Sequence, residues 1–220
     1  MEALLIGAIA TAIAWASWYF REARRLGRAL CAAKAWPIGE LPESATGRVI
    51  GEVQPLDRVL ESPLTGRACV YYVATVEERR SNGRWGAWTT LITEREGAPF
   101  LLHDDSGRAI VDPDGAEVAL ASAIRSRSGT FDDATPAEEA FLSRHGHASK
   151  TWGLNRSIRY TEAVIEPGAI IAVLGSGVRE PDPEARPAEG YRSAPPTRLR
   201  LTSSRQHPLV IGDDPSTVQR

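Results

Sequence analysis

The N-terminal twenty residues constrain the chain most, because they contain an uncharged run long enough to cross a lipid bilayer. Residues 3–20 carry no charge. A helix of that length extends roughly 27 Å, close to the ~30 Å hydrocarbon thickness of a membrane. Aromatic rings favour the headgroup region, and arginines oppose further insertion. The predicted membrane-interface residues are Trp15, Trp18, Tyr19, Arg21, Arg24 and Arg25. The run therefore predicts a single transmembrane anchor over residues 1–20.

Two other interpretations of this run stay open. Ala14-Trp15-Ala16 resembles a signal-peptide cleavage site, although Met1-Glu2 lacks the positive start of a signal peptide. A buried core helix would leave the one-sided arginines and terminal aromatic residues without a reason, so the anchor is favoured over both. Because basic residues flank only the C-terminal side, we expect an outside N-terminus and a cytoplasmic domain. A periplasmic domain is the alternative.

The chain after the anchor has the pattern of one mostly β (α+β) domain. Residues 21–45 contain basic helix formers followed by Pro and Gly, which indicates a juxtamembrane stalk and linker. Residues 46–215 alternate short β-branched and aromatic runs with turns such as Asn82-Gly83, and a capping box over Thr135 to Glu138 indicates a helix. We expect an antiparallel β barrel or sandwich with one or two short helices, and a polar tail over residues 216–220.

Charge and cysteine content argue against several functional classes. A formal net charge of -2 gives no overall attraction to polyanions, so nucleic acid is not expected as a partner. Cys31 and Cys69 are isolated in sequence, which indicates neither a disulfide framework nor a zinc ribbon. His103, His145 and His147 have aspartates nearby, but the spacing fixes no complete ligand set. With no nucleophile or phosphate-binding motif either, we predict no catalytic residues, no metal and no cofactor.

Candidate partner-binding residues lie near two turns. Those around the Asn82-Gly83 turn are Arg79, Arg80, Arg84, Trp85 and Trp88. Cations and indoles at an exposed hairpin tip suit contact with a protein or with lipid headgroups. Arg67, which ends the loop Ser62 to Arg67, is the other candidate. Its guanidinium can bind a partner's carboxylate or brace Glu61 within the loop, and bracing is the favoured interpretation.

Several segments, in a fixed order after the hydrophobic run, resemble the GIDE (beside-a-membrane) domain family. These segments are Leu60–Arg67, Val70–Tyr72, Pro99–Leu102, Arg159–Glu162, Ile165–Gly168 and Ile211–Pro215. The family is similar to the region between the two transmembrane helices of mitochondrial membrane-anchored RING E3 ubiquitin ligases. In those relatives the domain faces the intermembrane space, which favours the periplasmic alternative. The chain resembles the prokaryotic type of the family, which lacks the RING.

The resemblance implies a membrane-anchored, non-enzymatic interaction or sensor module, with the lipid bilayer and an unknown protein as partners. A RING needs closely spaced Cys and His zinc ligands, which two isolated cysteines do not supply. We therefore expect no ubiquitin ligase activity from this chain alone. The alternative is a member of the E3 ubiquitin-transferase family by descent, with the RING lost or supplied by another chain. Whether the protein takes part in an enzyme stays open at this stage.

Overall fold

The computed structural model describes the backbone of residues 24–82, 85–129, 132–151, 154–183, 196–204 and 207–219. The predicted anchor over residues 1–20 lies outside these ranges, with Trp15, Trp18 and Tyr19, and so does Arg21. Among the helices of the described residues, none is long and apolar enough to cross a membrane.

Strands dominate the described residues. The helices are α1 (24–32), the 3-10 helix Ile38–Glu40 and α2 (Pro136–Arg144). The strands are β1 (Ala35–Trp36), β2 (Gly47–Pro55), β3 (Leu60–Glu61), β4 (Ala68–Cys69), β5 (Tyr71–Asn82), β6 (Trp85–Gly97), β7 (Phe100–Asp104), β8 (Gly107–Val111), β9 (Glu117–Ala119), β10 (Ala123–Ser128), β11 (Lys150–Thr151), β12 (Leu154–Asn155), β13 (Ile158–Ile165), β14 (Ile170–Gly175), β15 (Gly177–Pro181), β16 (Thr197–Leu201) and β17 (Val210–Gly212).

Most of the strands form two sheets that remain open. The nine-stranded sheet has the order β15-β16-β8-β7-β2-β14-β17-β9, with β1 added alongside β2. The four-stranded sheet has the order β10-β13-β5-β6 and is antiparallel throughout. The prediction of a mostly β fold with short helices is confirmed, but the barrel is wrong. The expectation of antiparallel strands is also corrected, because β1 with β2, β16 with β8 and β17 with β9 are parallel pairs in the larger sheet. Alternating hydrophobicity specifies which face of a strand is buried, whereas closure depends on strand tilt and stagger, which the pattern does not encode.

The main core joins the two sheets. Inward side chains of the central strands β2, β7, β8, β14 and β16 pack together with Tyr71 and Ile165, which lie at the base of the four-stranded sheet. Tyr71 begins β5 and Ile165 ends β13, and the two residues are paired in register. The four-stranded sheet is therefore fixed to the larger sheet at one end of its strands.

The other face of the nine-stranded sheet is covered by α1. Leu26 and Leu30 lie four residues apart, hence on one side of the helix, and pack on Ile50, Ala172 and Val210. The region interpreted from sequence as stalk and linker thus contributes buried residues to the folded body. Its basic residues remain at the surface: Arg24 and Arg25 are exposed, and Arg25 pairs with Glu117 at 2.9 Å.

The predicted capping box starts α2. The Thr135 hydroxyl accepts a hydrogen bond from the Glu138 N–H, and the Glu138 carboxylate accepts one from the Thr135 N–H at 2.8 Å, with Pro136 in the first turn. Phe141 and Leu142 on the inner side of the helix are buried against the four-stranded sheet. One face of that sheet is therefore covered by α2.

Candidate interaction surface

The four-stranded sheet has two unlike faces because side chains alternate along each strand. Val76 lies opposite Tyr160, and both belong to the cluster beneath α2. The next pair along the register, Glu77 opposite Arg159, points to the other side of the sheet. At the base of the sheet this second side is buried, because Tyr71 and Ile165 enter the main core there. Farther along the strands it carries mainly polar side chains and is largely exposed.

We call this second surface the arginine face and define it by Arg79, Arg95, Arg125 and Arg127, all of which are exposed. Arg125 and Arg127 lie on β10, Arg79 on β5 and Arg95 on β6. The strand register places their side chains on the same side of the sheet as Arg159. Within the described residues, none of the four side chains has a hydrogen-bond or ion-pair partner.

A fifth arginine, Arg159, lies on the same face and contacts both Glu77 and Trp88. The Arg159 Nε donates to a Glu77 carboxylate oxygen at 2.7 Å, and the Arg159 guanidinium lies 4.7 Å from the ring centre of Trp88. Arg159 therefore already has an anion and an aromatic ring as partners. Since Glu77 is the one acidic residue placed among five arginines, the surface is strongly cationic in a chain whose formal charge is -2.

Most other described arginines are paired with carboxylates. These pairs are Arg25–Glu117, Arg58–Glu96, Arg67–Glu166, Arg80–Glu78, Arg108–Asp182, Arg144–Glu94, Arg156–Glu78, Arg198–Glu180 and Arg200–Glu180. The fold thus neutralises arginines over most of its surface. The unpaired guanidinium groups are concentrated on one sheet face.

The structure separates the residues predicted at the hairpin tip. Arg79 and Trp88 are paired across β5 and β6 and belong to the arginine face. Arg80 points to the opposite side, where it lies 3.2 Å from Glu78. Arg84 and the side chain of Trp85 lie outside the described residues. Strand alternation explains why neighbouring residues in the sequence do not form one surface.

Sequence reasoning missed Arg95, Arg125 and Arg127. A signal was present, since the segment Ala123–Ser128 alternates arginine with other residues at a period of two, as expected for one face of a strand. The face itself depends on β10 pairing with β13 and on β5 pairing with β6. Local sequence does not reveal the first of these pairings.

Arg67 is held inside its own loop. Its Nη1 donates to a Glu166 carboxylate oxygen at 3.1 Å, and its Nη2 lies 3.9 Å from a Glu162 oxygen. It therefore braces against Glu166 and Glu162, and no contact with Glu61 is seen in the described residues. The reason is the sheet register, which brings β13 beneath a loop that lies almost one hundred residues earlier in the chain.

The loop Ser62 to Arg67 encloses the Glu162 carboxylate, whose side chain is 1% exposed. Three donors reach it: the Ser62 hydroxyl at 2.9 Å, the Leu64 N–H at 2.8 Å and the Thr65 hydroxyl. Nearby, burial first and the negative charge of Glu162 second raise the pKa of the Cys69 thiol to about 11. Glu162 therefore has a structural role, and Cys69 is a protonated thiol at neutral pH.

A second carboxylate cluster attaches the end of α2 to the sheet. The Tyr72 hydroxyl donates to a Glu94 oxygen at 2.7 Å, while Arg144 and His145 lie 2.9 Å and 2.7 Å from the same carboxylate group. Partial burial opposes ionisation of Glu94, but the hydrogen bonds from Tyr72 and His145 and the charge of Arg144 lower its pKa below the ordinary value of 4.5. Ionised Glu94 therefore stabilises the folded state.

We expect Glu94→Gln to reduce the acid sensitivity of folding. A carboxylate whose folded pKa is depressed contributes stability that is present above its unfolded pKa of 4.5 and is lost as pH falls through the folded value. The free energy of unfolding, measured by urea titration at several pH values, should fall less steeply below pH 4.5 in the variant. Glu52→Gln, an exposed carboxylate on β2, is the control and should keep the wild-type slope. Equal slopes in all three proteins would contradict the assignment.

The sequence clusters considered for metal binding form hydrogen-bonded turns instead. Asp104 accepts hydrogen bonds from the Ser106 N–H at 2.8 Å and from the Ile38 N–H at 3.2 Å. In the part of the chain that the structure describes, no three His, Cys, Asp or Glu side chains are grouped so as to hold a metal ion.

Comparison with known proteins identifies the family. The model for the GIDE family, described as E3 ubiquitin ligase, matches residues 71–190, more than half of the 220-residue chain. The match begins with β5 and extends past β15, so it includes the four-stranded sheet and α2. No curated protein and no solved structure matches the chain. The family match confirms the resemblance seen in the sequence: the chain belongs to the GIDE family.

Proposed function

We propose that this protein is a membrane-anchored, non-enzymatic interaction module of the GIDE type, and that it binds an anionic partner through the arginine face. The observation that carries the proposal is the presence of four exposed arginines without partners among the described residues. Like charges on one sheet face repel each other and destabilise the sheet. An external anion would offset this repulsion, which supports binding as the reason for the cluster.

The N-terminal run supports membrane attachment. Residues 3–20 are uncharged, and the helix that follows, α1, packs on the nine-stranded sheet through Leu26 and Leu30. Insertion of the run would therefore hold the folded domain at the bilayer surface, where confinement raises its effective concentration near membrane-bound partners. The arginine excess on the C-terminal side of the run supports a cytoplasmic domain, with the periplasmic orientation as the alternative.

The engagement of one buried and two partly buried carboxylates supports a binding function over a catalytic one. Glu162 is saturated by loop donors, Glu94 is held by Tyr72 and α2, and Glu180 lies between Arg198 and Arg200. Each of these carboxylates is committed to holding two parts of the fold together. A general acid or base needs to reach a substrate proton instead.

The proposal predicts loss of the bound partner when the arginine face is neutralised. Full-length protein would be cross-linked in native membranes and purified, and the attached proteins and lipids would be identified. Arg79, Arg95, Arg125 and Arg127 would all be changed to glutamine, and we expect capture to fall about tenfold or more, since interface arginines commonly contribute over 1 kcal/mol each. An unchanged set of captured molecules would contradict the assignment of this face.

A matched control removes the same charge elsewhere. Arg58, Arg80, Arg144 and Lys150 are exposed and paired with carboxylates. Exposed pairs contribute little, but Arg144 also holds Glu94, so this control must keep the thermal unfolding transition of the wild type. Replacement of all four by glutamine should leave capture near the wild-type level.

Anchoring is tested separately: the protein should stay with membranes in an alkaline carbonate wash, and its release would contradict the anchor.

A second candidate function follows from the description of the matching family as E3 ubiquitin ligase. In this alternative the protein belongs to the E3 ubiquitin-transferase family by descent, with the RING lost or supplied by another chain. The same capture experiment distinguishes the two. Recovery of a zinc-binding RING protein that transfers ubiquitin together with this chain would favour the enzyme component, whereas transfer that does not depend on this chain would favour the binding module.

A further inference from the structure

The chemistry of the arginine face limits what it can bind. Between Arg125 and the edge of β6 the register places three threonines, Thr161, Thr75 and Thr93. A protein interface usually centres on buried apolar or aromatic anchors, and single-stranded nucleic acid needs free aromatic rings for stacking. Trp88, the aromatic residue on the described part of this face, is already covered by Arg159. The surface offers charge and hydrogen bonds, which arginine directs well to phosphate oxygens.

The arginines are spread over the sheet and do not converge on one point. Arg125 and Arg127 are two residues apart on β10, a separation of about 7 Å. Arg79 on β5 and Arg95 on β6 lie two and three strands away, at least about 10 and 14 Å, and the register offsets them further along the strands. One small phosphate compound cannot contact groups at these separations. A surface that carries many phosphates can contact all of them.

The position of the arginine face also favours a bilayer. Arg24 and Arg28 of α1 line a groove of about 750 Å³ together with Ala121. Arg125 follows Ala121 by four residues, a path of at most about 14 Å. Arg24 likewise follows Phe20, the end of the uncharged run, by four residues, again at most about 14 Å. Arg125, at one edge of the arginine face, is therefore joined by a short segment to the groove beside α1, the helix that follows the uncharged run.

We infer that the arginine face docks on the headgroups of an anionic phospholipid bilayer, the same membrane in which the N-terminal run is inserted. This inference rests on the proposed function, because it assumes the anchor and names the anionic partner. The docked surface would be the exposed part of this face, beyond the base where Tyr71 and Ile165 enter the core, with α2 on the side away from the lipid. Juxtamembrane arginines each contribute about fivefold to binding of acidic lipid, and salt weakens this attraction.

The test places a probe on each side of the four-stranded sheet in the full-length protein. In a Cys31→Ser background, Thr93→Cys labels the arginine face and Ala140→Cys labels the exposed side of α2. Each protein carries a fluorophore at the new cysteine and is reconstituted into vesicles that contain a lipid with a headgroup quencher. The vesicles are either phosphatidylcholine alone or phosphatidylcholine with about 30 mol% phosphatidylserine, enough to give a negative surface potential.

Docking predicts strong quenching of the Thr93 label on phosphatidylserine vesicles and weak quenching on phosphatidylcholine. The ratio of docked to undocked protein should fall about fivefold for Arg125→Gln and by far more when all four arginines are replaced. Raising the NaCl concentration should also lower this ratio. The Ala140 label should respond to neither lipid nor salt. The inference is overturned if the Thr93 label gives equal quenching on both kinds of vesicle, or if the fourfold variant behaves like wild type.

Three further measurements separate the possible failures. Flotation with phosphatidylcholine vesicles tests the anchor alone, and a protein that does not float refutes the proposed membrane attachment. A protein that floats but shows no lipid-dependent quenching refutes the docking inference and leaves the anchor intact.

Addition of a soluble oligoglutamate peptide tests the competing occupant. Binding of the peptide to the arginine face without any lipid response would assign the surface to an acidic protein segment. An unchanged thermal unfolding transition in the fourfold variant shows that its fold is retained.

Discussion

Replacement of Glu162 by alanine is expected to lower the free energy of unfolding by about 3–5 kcal/mol, the usual cost of removing one partner from a buried charged cluster. The carboxylate is 1% exposed and accepts from Ser62, Leu64 and Thr65, with Arg67 beside it. Without it, the buried Ser62 hydroxyl and the partly buried Leu64 N–H lose this acceptor. Glutamine keeps one acceptor oxygen and should therefore cost less than alanine.

The measurement is urea unfolding of the full-length protein in detergent, read by tryptophan fluorescence. Opening of the loop Ser62 to Arg67 has a separate signal, because Cys69 is buried beside this loop. With the exposed Cys31 changed to serine, Cys69 should react faster with a thiol reagent in the Glu162→Ala protein than in its parent. Glu61→Gln, an exposed change that precedes the same loop, is the control and should alter stability by about 0.5 kcal/mol or less. A loss below about 1 kcal/mol for Glu162→Ala would contradict the structural role.

Features encoded by neighbouring residues could be predicted from the sequence. The capping box at Thr135 and Glu138 specifies the start of α2 because all of its hydrogen bonds form within four residues. The turn residues Pro63 and Gly66 likewise indicate a fixed loop, and Gly66 does adopt a φ of 69°. Glu162, which holds the loop, lies too far along the chain for any local pattern to identify it.

The arginine face shows the same limit. Arg79 and Trp88 are paired across neighbouring strands only nine residues apart in the chain, so the turn signal in the sequence is enough to bring them together. Arg125 and Arg127 join them through β10 pairing with β13, a contact between segments separated by more than thirty residues. For α1, the arginines next to the uncharged run draw attention from the pair Leu26 and Leu30, which places the helix on the sheet. Composition alone therefore indicated a stalk.

Alanine at both Leu26 and Leu30 is expected to lower the free energy of unfolding by about 4 kcal/mol or more, since a buried leucine changed to alanine typically costs 2–5 kcal/mol. Leu30 is 0% exposed and Leu26 is 4% exposed. Their side chains attach α1 to Ile50, Ala172 and Val210. Because Leu26 and Leu30 are the two buried hydrophobic residues of the described helix, α1 should separate from the sheet before the body unfolds.

Hydrogen exchange of the α1 amides, measured together with urea unfolding, distinguishes local release from global instability. Gly27→Ala is the matched control in the same helix: no atom lies within 4 Å of the added methyl group, so the change should stabilise the protein by about 0.5–1 kcal/mol. Release of α1 should also weaken quenching of the Thr93 label on anionic vesicles, because the arginine face is then no longer held near the membrane-inserted run. Slow exchange in the leucine variant would mean that α1 is not held by these two side chains.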